Sequence, residues 1–449
     1  MKDSKKSLRE FVSKSGKLTY ANADGEGRRQ TASDIPTVSR FPVSAHSLDY
    51  HAPDLVCFSH LRWDFVYQRP QHLLSRCAQD RRVFFVEEPI FEDTLPRLDI
   101  SQRDCGVWVA VPRLPHGMSE GEAAAAQQSL LIDDLFLGFG VNEYILWYYT
   151  PMALAFTQHL EPLAVVYDCM DELSAFKYAP PSLREREQEL FKRADLVFTG
   201  GHSLYEAKRH LHPNIYPFPS SIDGAHFRQA RQIKKDPPDQ AAIPRPRLGY
   251  CGVIDERMDL ELIDGIAKAR PDWHLVMVGP VVKIDPADLP KRENIHYLGG
   301  KQYKELPAYL AGWDIAMLPF ARNESTQFIS PTKTPEYLAA GVPVVSTSIR
   351  DVVRPYGQQG LVKIADTVEG FIAAAESLIS KSFEKSSWLR RVDEVLAYNS
   401  WDRTWARMMQ MLNLIISSRY PALLTPTLRP PTAGRQPLHS TASSSTTGD

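Results

Sequence analysis

Two separate arrays of short, fully apolar runs, each alternating with segments of helical period, constrain this chain more than anything else in it. The first array holds Asp54–Ser59, Arg82–Val86, Val107–Val111, Tyr144–Tyr149, Leu163–Tyr167 and Leu196–Thr199. The second holds Arg247–Gly252, His274–Gly279, Ile295–Leu298, Asp314–Leu318 and Val342–Thr347. Runs without polar alternation suit strands buried on both faces, and intervening helical stretches such as Val66–Ala78, Leu183–Arg193, Leu260–Ala269 and Val368–Ile379 supply the cover. The expected fold class is therefore α/β, with two doubly wound, mainly parallel sheets. Between the arrays, residues 229–246 carry Lys234-Lys235-Asp236-Pro237-Pro238-Asp239 and Pro244-Arg245-Pro246, which is linker composition.

The expected organisation is a disordered tail over residues 1–50, a Rossmann-like domain over 51–232 and a second over 243–398. A helix over 399–420 packing back toward the first domain and a Pro/Ser/Thr-rich disordered tail over 421–449 complete it. At roughly 100–200 residues per domain, 449 residues leave room for two such cores. A net charge of −2 gives no reason to expect nucleic acid as a partner. No apolar run approaches the roughly 18 residues of a membrane span, and the basic N-terminus lacks the apolar core of a secretory signal. The five cysteines have no CxxC pair, so zinc and redox chemistry are not indicated and reduced thiols in the cytoplasm are.

In sheets of this kind ligands bind at the carboxyl ends of the strands, and two sheets facing each other place the site in the crevice between them. The stretch Ser330-Pro331-Thr332-Lys333-Thr334-Pro335-Glu336-Tyr337-Leu338-Ala339-Ala340-Gly341-Val342-Pro343-Val344-Val345 then resembles the P-x-K-x-x-E-Y-L-A-x-G-x-P-V-V segment of the GT-B glycosyltransferases of the retaining E-x7-E family. Ala194–Thr199 with Pro219-Ser220-Ser221-Ile222-Asp223 and Phe227, and Asn399-Ser400-Trp401-Asp402, are similar to two further segments of that family. Residues 58–72 look like its bacterial surface-polysaccharide subgroup. The resemblance implies a nucleotide-sugar donor and a saccharide or lipid-linked acceptor. It also implies a cytoplasmic enzyme, with peripheral contact at the inner face of the plasma membrane as a further expectation. No metal cofactor is expected, because no DxD-type pair is clearly placed.

The chemistry agrees with that reading residue by residue. A carboxylate near a helix start, Glu336, can accept both ribose hydroxyls. Lys333 stands where the helix dipole alone disfavours a cation, which favours a phosphate role, with the amides of Thr334 and its neighbours as further donors. Gly252 ends the second array's first strand and admits a phosphate to the backbone, and Arg257 follows as a bidentate partner. The family has an arginine directly after this glycine and a lysine a few residues on; here Val253 and Met258 occupy those places. The first signature glutamate falls on Phe328, so Glu324 is the substitute candidate. Asp168 and Asp171, at the end of a first-domain strand, are the candidate catalytic acids, with turn and capping roles as the alternative. His60 and Arg69 are candidates for acceptor or phosphate contact. A nucleotide-sugar epimerase of the same fold and a non-catalytic scaffold are the rival functions.

Overall fold

The strands named above do assemble into two sheets, and the sheets fix where a ligand can sit. The structure is a computed structural model that describes residues 52–118 and 121–421. The tail expected over residues 1–50, and that expected over 421–449 beyond Pro421, lie outside the described residues. The first sheet contains β1 (Asp54–Ser59), β2 (Val83–Glu87), β3 (Ile90–Glu92), β4 (Arg97–Gln102), β5 (Trp108–Pro115), β6 (Tyr144–Tyr148), β7 (Ala164–Cys169), β8 (Leu196–Thr199) and β9 (Ile215–Pro217). Its order is β3-β5-β2-β1-β6-β7-β8-β9, with β4 antiparallel on β5 and the other pairs parallel. The second sheet contains β10 (Arg247–Cys251), β11 (His274–Val278), β12 (Ile295–Gly299), β13 (Ile315–Leu318), β14 (Val344–Ser346) and β15 (Val362–Ile364). It is wholly parallel, in the order β12-β11-β10-β13-β14-β15. β1, β2, β6, β7 and β8 are buried at every position, as their unbroken apolar sequences require.

The chain reverses its direction of travel across each sheet once, at β1/β6 and at β10/β13. These are topological switch points, where the loops leaving two neighbouring strands part and open a crevice. The loops after β1 and β6, and after β10 and β13, border these crevices, with the loops after β7 and β11 next to them.

Two features differ from the sequence reading. Residues 229–246 are no free linker: Ala230 and Ile243 belong to the second domain's core. Buried Gln240 accepts from Trp313 Nε1 at 2.9 Å and donates to the Tyr309 carbonyl at 3.1 Å, while Arg247 donates to Asp236 at 2.8 Å. The charged, Pro-rich composition reflects this segment's solvent side and its ion pairs. The helix Glu122–Phe139 was not read as an element, because its exposed face carries Leu130 and Leu137 and blurs the apolar stripe.

The helix Trp401–Arg419 begins at Ser400, whose side chain accepts from the Arg403 amide. Its Trp401, Trp405, Met408, Leu412 and Ile416 recur at three- and four-residue spacing and enter the first domain's core beside Leu73, Leu74 and Trp147. The two domains also meet directly. Asp351 of the second accepts from the Ser203 amide at 3.0 Å and from the Ser203 hydroxyl, at the start of the first domain's helix His202–Lys208. Glu206 on that helix pairs with Arg350 and Arg354. Gly201 allows the approach: a Cβ there would lie 2.2 Å from Asp351 Oδ2 and 2.9 Å from Ser330 Cβ. Gly201→Ala is expected to cost about 1–3 kcal/mol by overpacking this contact. Thermal denaturation checks it, and an unchanged melting temperature would show that the domains separate at no cost.

Candidate active site

The second domain's half of the crevice is built from two glycines and a helix start. Gly252, just past β10, has φ +155°, and a Cβ there would sit 2.6 Å from Lys333 Cε and 2.8 Å from Tyr250 Oη. Gly279, just past β11, has φ +152°, and its Cβ would lie 1.8 Å from the Gly252 oxygen. Only glycine lets these loops and Lys333 approach so closely. The loops are then stitched together by Ile254 N–H to the Pro280 carbonyl at 2.9 Å and Val282 N–H to the Ile254 carbonyl at 3.0 Å. The helix Lys333–Ala340 is fixed against the strand end by Tyr337, whose hydroxyl accepts from Cys251 N–H at 2.7 Å and donates to the Cys251 carbonyl at 3.2 Å.

On that helix Lys333 and Glu336 share one half-buried surface. The contact recorded for Lys333 Nζ is a long one, 3.4 Å to Thr332 Oγ1. Burial pushes the Glu336 carboxyl up to about 7, against the pull of Lys333, and no protein donor among the described residues reaches its oxygens. Beside it, the Tyr303 hydroxyl is buried without a partner, and its phenol is held high by burial and by the Glu336 charge. The Tyr303 ring stacks on His226 at 4.4 Å and leans on Tyr67 of the first domain at 4.7 Å. Thr334 corrects part of the expectation. Its amide already donates to the Pro331 carbonyl at 3.1 Å, so it is not a free phosphate donor. Its fully buried hydroxyl has no partner.

Arg257 lies at the crevice, but its guanidinium is closed on Asp255, with Nε–Oδ1 at 3.0 Å and Nη2–Oδ2 at 2.7 Å. It also lies 5.7 Å from the centre of the Phe176 ring, which belongs to the first domain. Lys283, which the sequence reading did not single out, approaches the same ring at 4.9 Å. Facing them is Asp171. Burial pushes its carboxyl up to about 6, against Arg257, Arg69 and Lys283, which pull it down. His60 completes this side. Burial, helped by the Lys283 charge and opposed by a backbone contact to Tyr149, pushes its imidazole down to about 4. It is therefore neutral at pH 7.

Three candidates are placed elsewhere. Arg69, expected at the acceptor or a phosphate, and Asp168, expected as a catalytic acid, are joined to each other in the interior. Arg69 is 2% and Asp168 0% exposed, with Nε–Oδ2 at 3.0 Å and Nη2–Oδ1 at 2.8 Å, while Arg69 Nη1 donates to the Phe218 carbonyl at 2.7 Å. The physical reason is register: Asp168 is still inside β7, whereas Asp171 lies two residues beyond its end. Glu324 is exposed and lines a different cavity of about 420 Å³, with Glu172, Arg184, Lys208 and Phe328. Phe328 itself packs on the first domain's core, so the loop that would carry the first signature acid is anchored by an aromatic ring.

With this geometry in hand, likeness to known proteins can be placed on it. Residues 245–381 match the glycosyl transferases group 1 family. That span contains Gly252, Arg257, Lys333, Thr334 and Glu336. Over 246 residues the chain is 25% identical to TuaH of Bacillus subtilis (strain 168), named as a teichuronic acid biosynthesis glycosyltransferase. The match takes in 49% of this chain, and the chain spans 60% of that relative's length. Among solved structures, sucrose-phosphate synthase from Thermosynechococcus elongatus aligns with a TM-score of 0.61 and 11% identity, covering 82% of this chain and all of that one. Anabaena HepE in complex with UDP and glucose aligns at 0.57 and 13%, covering 80% of this chain and 99% of that one. The fold is GT-B.

Proposed function

We propose that this chain is a glycosyltransferase that takes a sugar from a nucleoside-diphosphate donor and passes it, with retention, to a saccharide or lipid-linked acceptor in polysaccharide synthesis. The observation that carries the reading is the pairing of Glu336 and Lys333 at a strand-end helix start, over Gly252. An acid with no protein donor suits two ribose hydroxyls, and a cation beside it suits the diphosphate. Fold alone would not support this, since GT-B-like pairs of sheets serve several chemistries.

In the proposed reaction the donor lies across the carboxyl ends of β10 and β13. Lys333 and Arg257 steady the departing diphosphate, and its phosphate oxygen takes the acceptor's proton. Asp171, not Asp168, is the first-domain acid that faces the crevice, where it orients sugar hydroxyls or the charge developing at the anomeric carbon. No metal enters the proposal. Among the described residues no helix is long and apolar enough to cross a membrane. In this reading a lipid-linked acceptor reaches the crevice at the inner face of the membrane.

The test is thermal denaturation of the full chain with UDP, GDP, ADP and dTDP. One base is expected to raise the melting temperature, with about 2.7 kcal/mol of stabilisation at a hundredfold excess over Kd. Stabilisation by none of the four would sink the donor site and the transferase reading with it.

A further inference from the structure

Sequence resemblance places a lysine near position 258, but Met258 is buried in the second domain's core. Arg257, beside it, is the cation of that loop, and Asp255 holds one edge of its guanidinium. The neighbouring loop, after β11, contributes a further cation, Lys283. We propose that Lys283 is a donor-binding residue that meets the diphosphate from the β11 side of the crevice. This deepens the donor-site reading above and rests on it.

Three observations carry the proposal. The first is backbone conformation. Lys283 has φ +63°, in the left-handed region that a residue with a Cβ seldom occupies. The loop is held there by the hydrogen bonds that tie Pro280 and Val282 to Ile254. A glycine would sit in this conformation without strain. A lysine there is a local cost that marks the position as one kept for its side chain. The second is direction. Its ammonium lies over Phe176, a residue of the opposite domain, on the same ring as Arg257. It therefore points across the crevice, and its charge acts on Asp171 and His60 there. The third is availability. Arg257 is held by Asp255 along one edge of its guanidinium, through Nε and Nη2. Lys283 has a single long ion pair, 3.7 Å to Glu256 Oε1. Its three N–H groups can be redirected to an anion without breaking a short bond.

The crevice then has one cation on each side of Gly252 and Gly279. Lys333 comes from the helix start beside Gly252, and Lys283 from the loop that follows Gly279. Phe176 seats Lys283 when the domains are together, so the first domain helps to aim a cation of the second.

Titration calorimetry on the full chain tests this, with the nucleoside diphosphate selected by the thermal panel and its bare nucleoside as probes. Lys283→Gly relaxes the backbone while removing the charge, so its melting temperature is expected to hold or rise. Its Kd for the diphosphate is expected to weaken by about tenfold or more, the loss of a charge-assisted contact, with nucleoside binding unchanged. Lys283→Arg is expected to recover part of the diphosphate affinity. Glu336→Ala, in contrast, is expected to weaken nucleoside and diphosphate alike. Lys283→Gly binding the diphosphate as wild type does, while Glu336→Ala fails, would overturn the role of Lys283 and leave the donor site standing. Failure of the wild type to bind either probe would overturn both.

Discussion

Glu336→Gln is expected to abolish useful nucleotide binding and, at the same time, to stabilise the free protein above neutral pH. The two effects share one cause. Glu336 is a half-buried carboxyl with no protein donor, and burial lifts it to about 7 from an ordinary 4.5. Between those values the unfolded chain has already released the proton that the folded chain retains. Stability of the free protein therefore falls as pH rises through that window, and above pH 7 the full cost of the buried charge is present. Glutamine removes this cost, by about 2 kcal/mol after allowance for solvent reaching the crevice. Binding runs the other way. Only the ionised carboxylate accepts from two hydroxyls, so donor affinity should climb from pH 6 to pH 8 and then level off. Glutamine can accept from one and must turn an N–H toward the other. With charge-assisted hydrogen bonds contributing about 1.5–3 kcal/mol each, a loss of about 10²- to 10³-fold in kcat/KM is expected. Melting curves at pH 5 and pH 8, with and without the nucleoside diphosphate, check both halves. A variant that melts like wild type at both values and still binds would remove Glu336 from the donor site.

The parts of this molecule that were legible in the sequence are those whose constraint is local. Strands buried on both faces read as unbroken apolar runs, so β1, β2, β6, β7 and β8 were visible. β4, Arg-Leu-Asp-Ile-Ser-Gln on the edge, is half solvated and carries the charges of an edge strand, so it was not. Lys333 and Glu336 were legible as a candidate pair because they lie three residues apart on one helix start. Lys283 was invisible by the same logic: nothing near it in sequence marks a phosphate site. Its place depends on Gly279, on a bond to Ile254 and on a ring in the other domain. One signal was available, since Gly279 closes an apolar strand and Lys283 is the first cation after it. Residues 229–246 misled because Pro and charge suggest a linker, while Asp236, Gln240 and Arg247 find partners that no local pattern reveals. The two acids after Val166 could not be told apart by composition. Their difference is a matter of two residues of strand length, and it sends one carboxylate inward to Arg69, 99 residues earlier, and the other to the crevice.

That separation makes the largest stability prediction. Arg69 and Asp168 are a buried, bidentate ion pair, and removing one partner leaves the other charged, desolvated and unpaired. Arg69→Met and Asp168→Leu, taken singly, are each expected to destabilise the protein by about 3–5 kcal/mol. At about 2–4 °C per kcal/mol for domains of this size, that is a drop of roughly 10 °C in melting temperature. The double variant removes both charges and is expected to recover most of the loss, because apolar groups of similar volume dispense with the desolvation cost. Non-additivity of this sign is the mark of a directly coupled pair. The same variants decide between the two roles open to Asp168. If it holds the end of β7 in place, the double variant should fold and retain transferase activity, and Asp171→Asn should lose activity with its melting temperature little changed. If Asp168 touches the sugar, the double variant will fold yet be inactive. That result would return the catalytic assignment to a residue that the fold has enclosed, and would require the crevice to open much further toward β7 than it does in this structure.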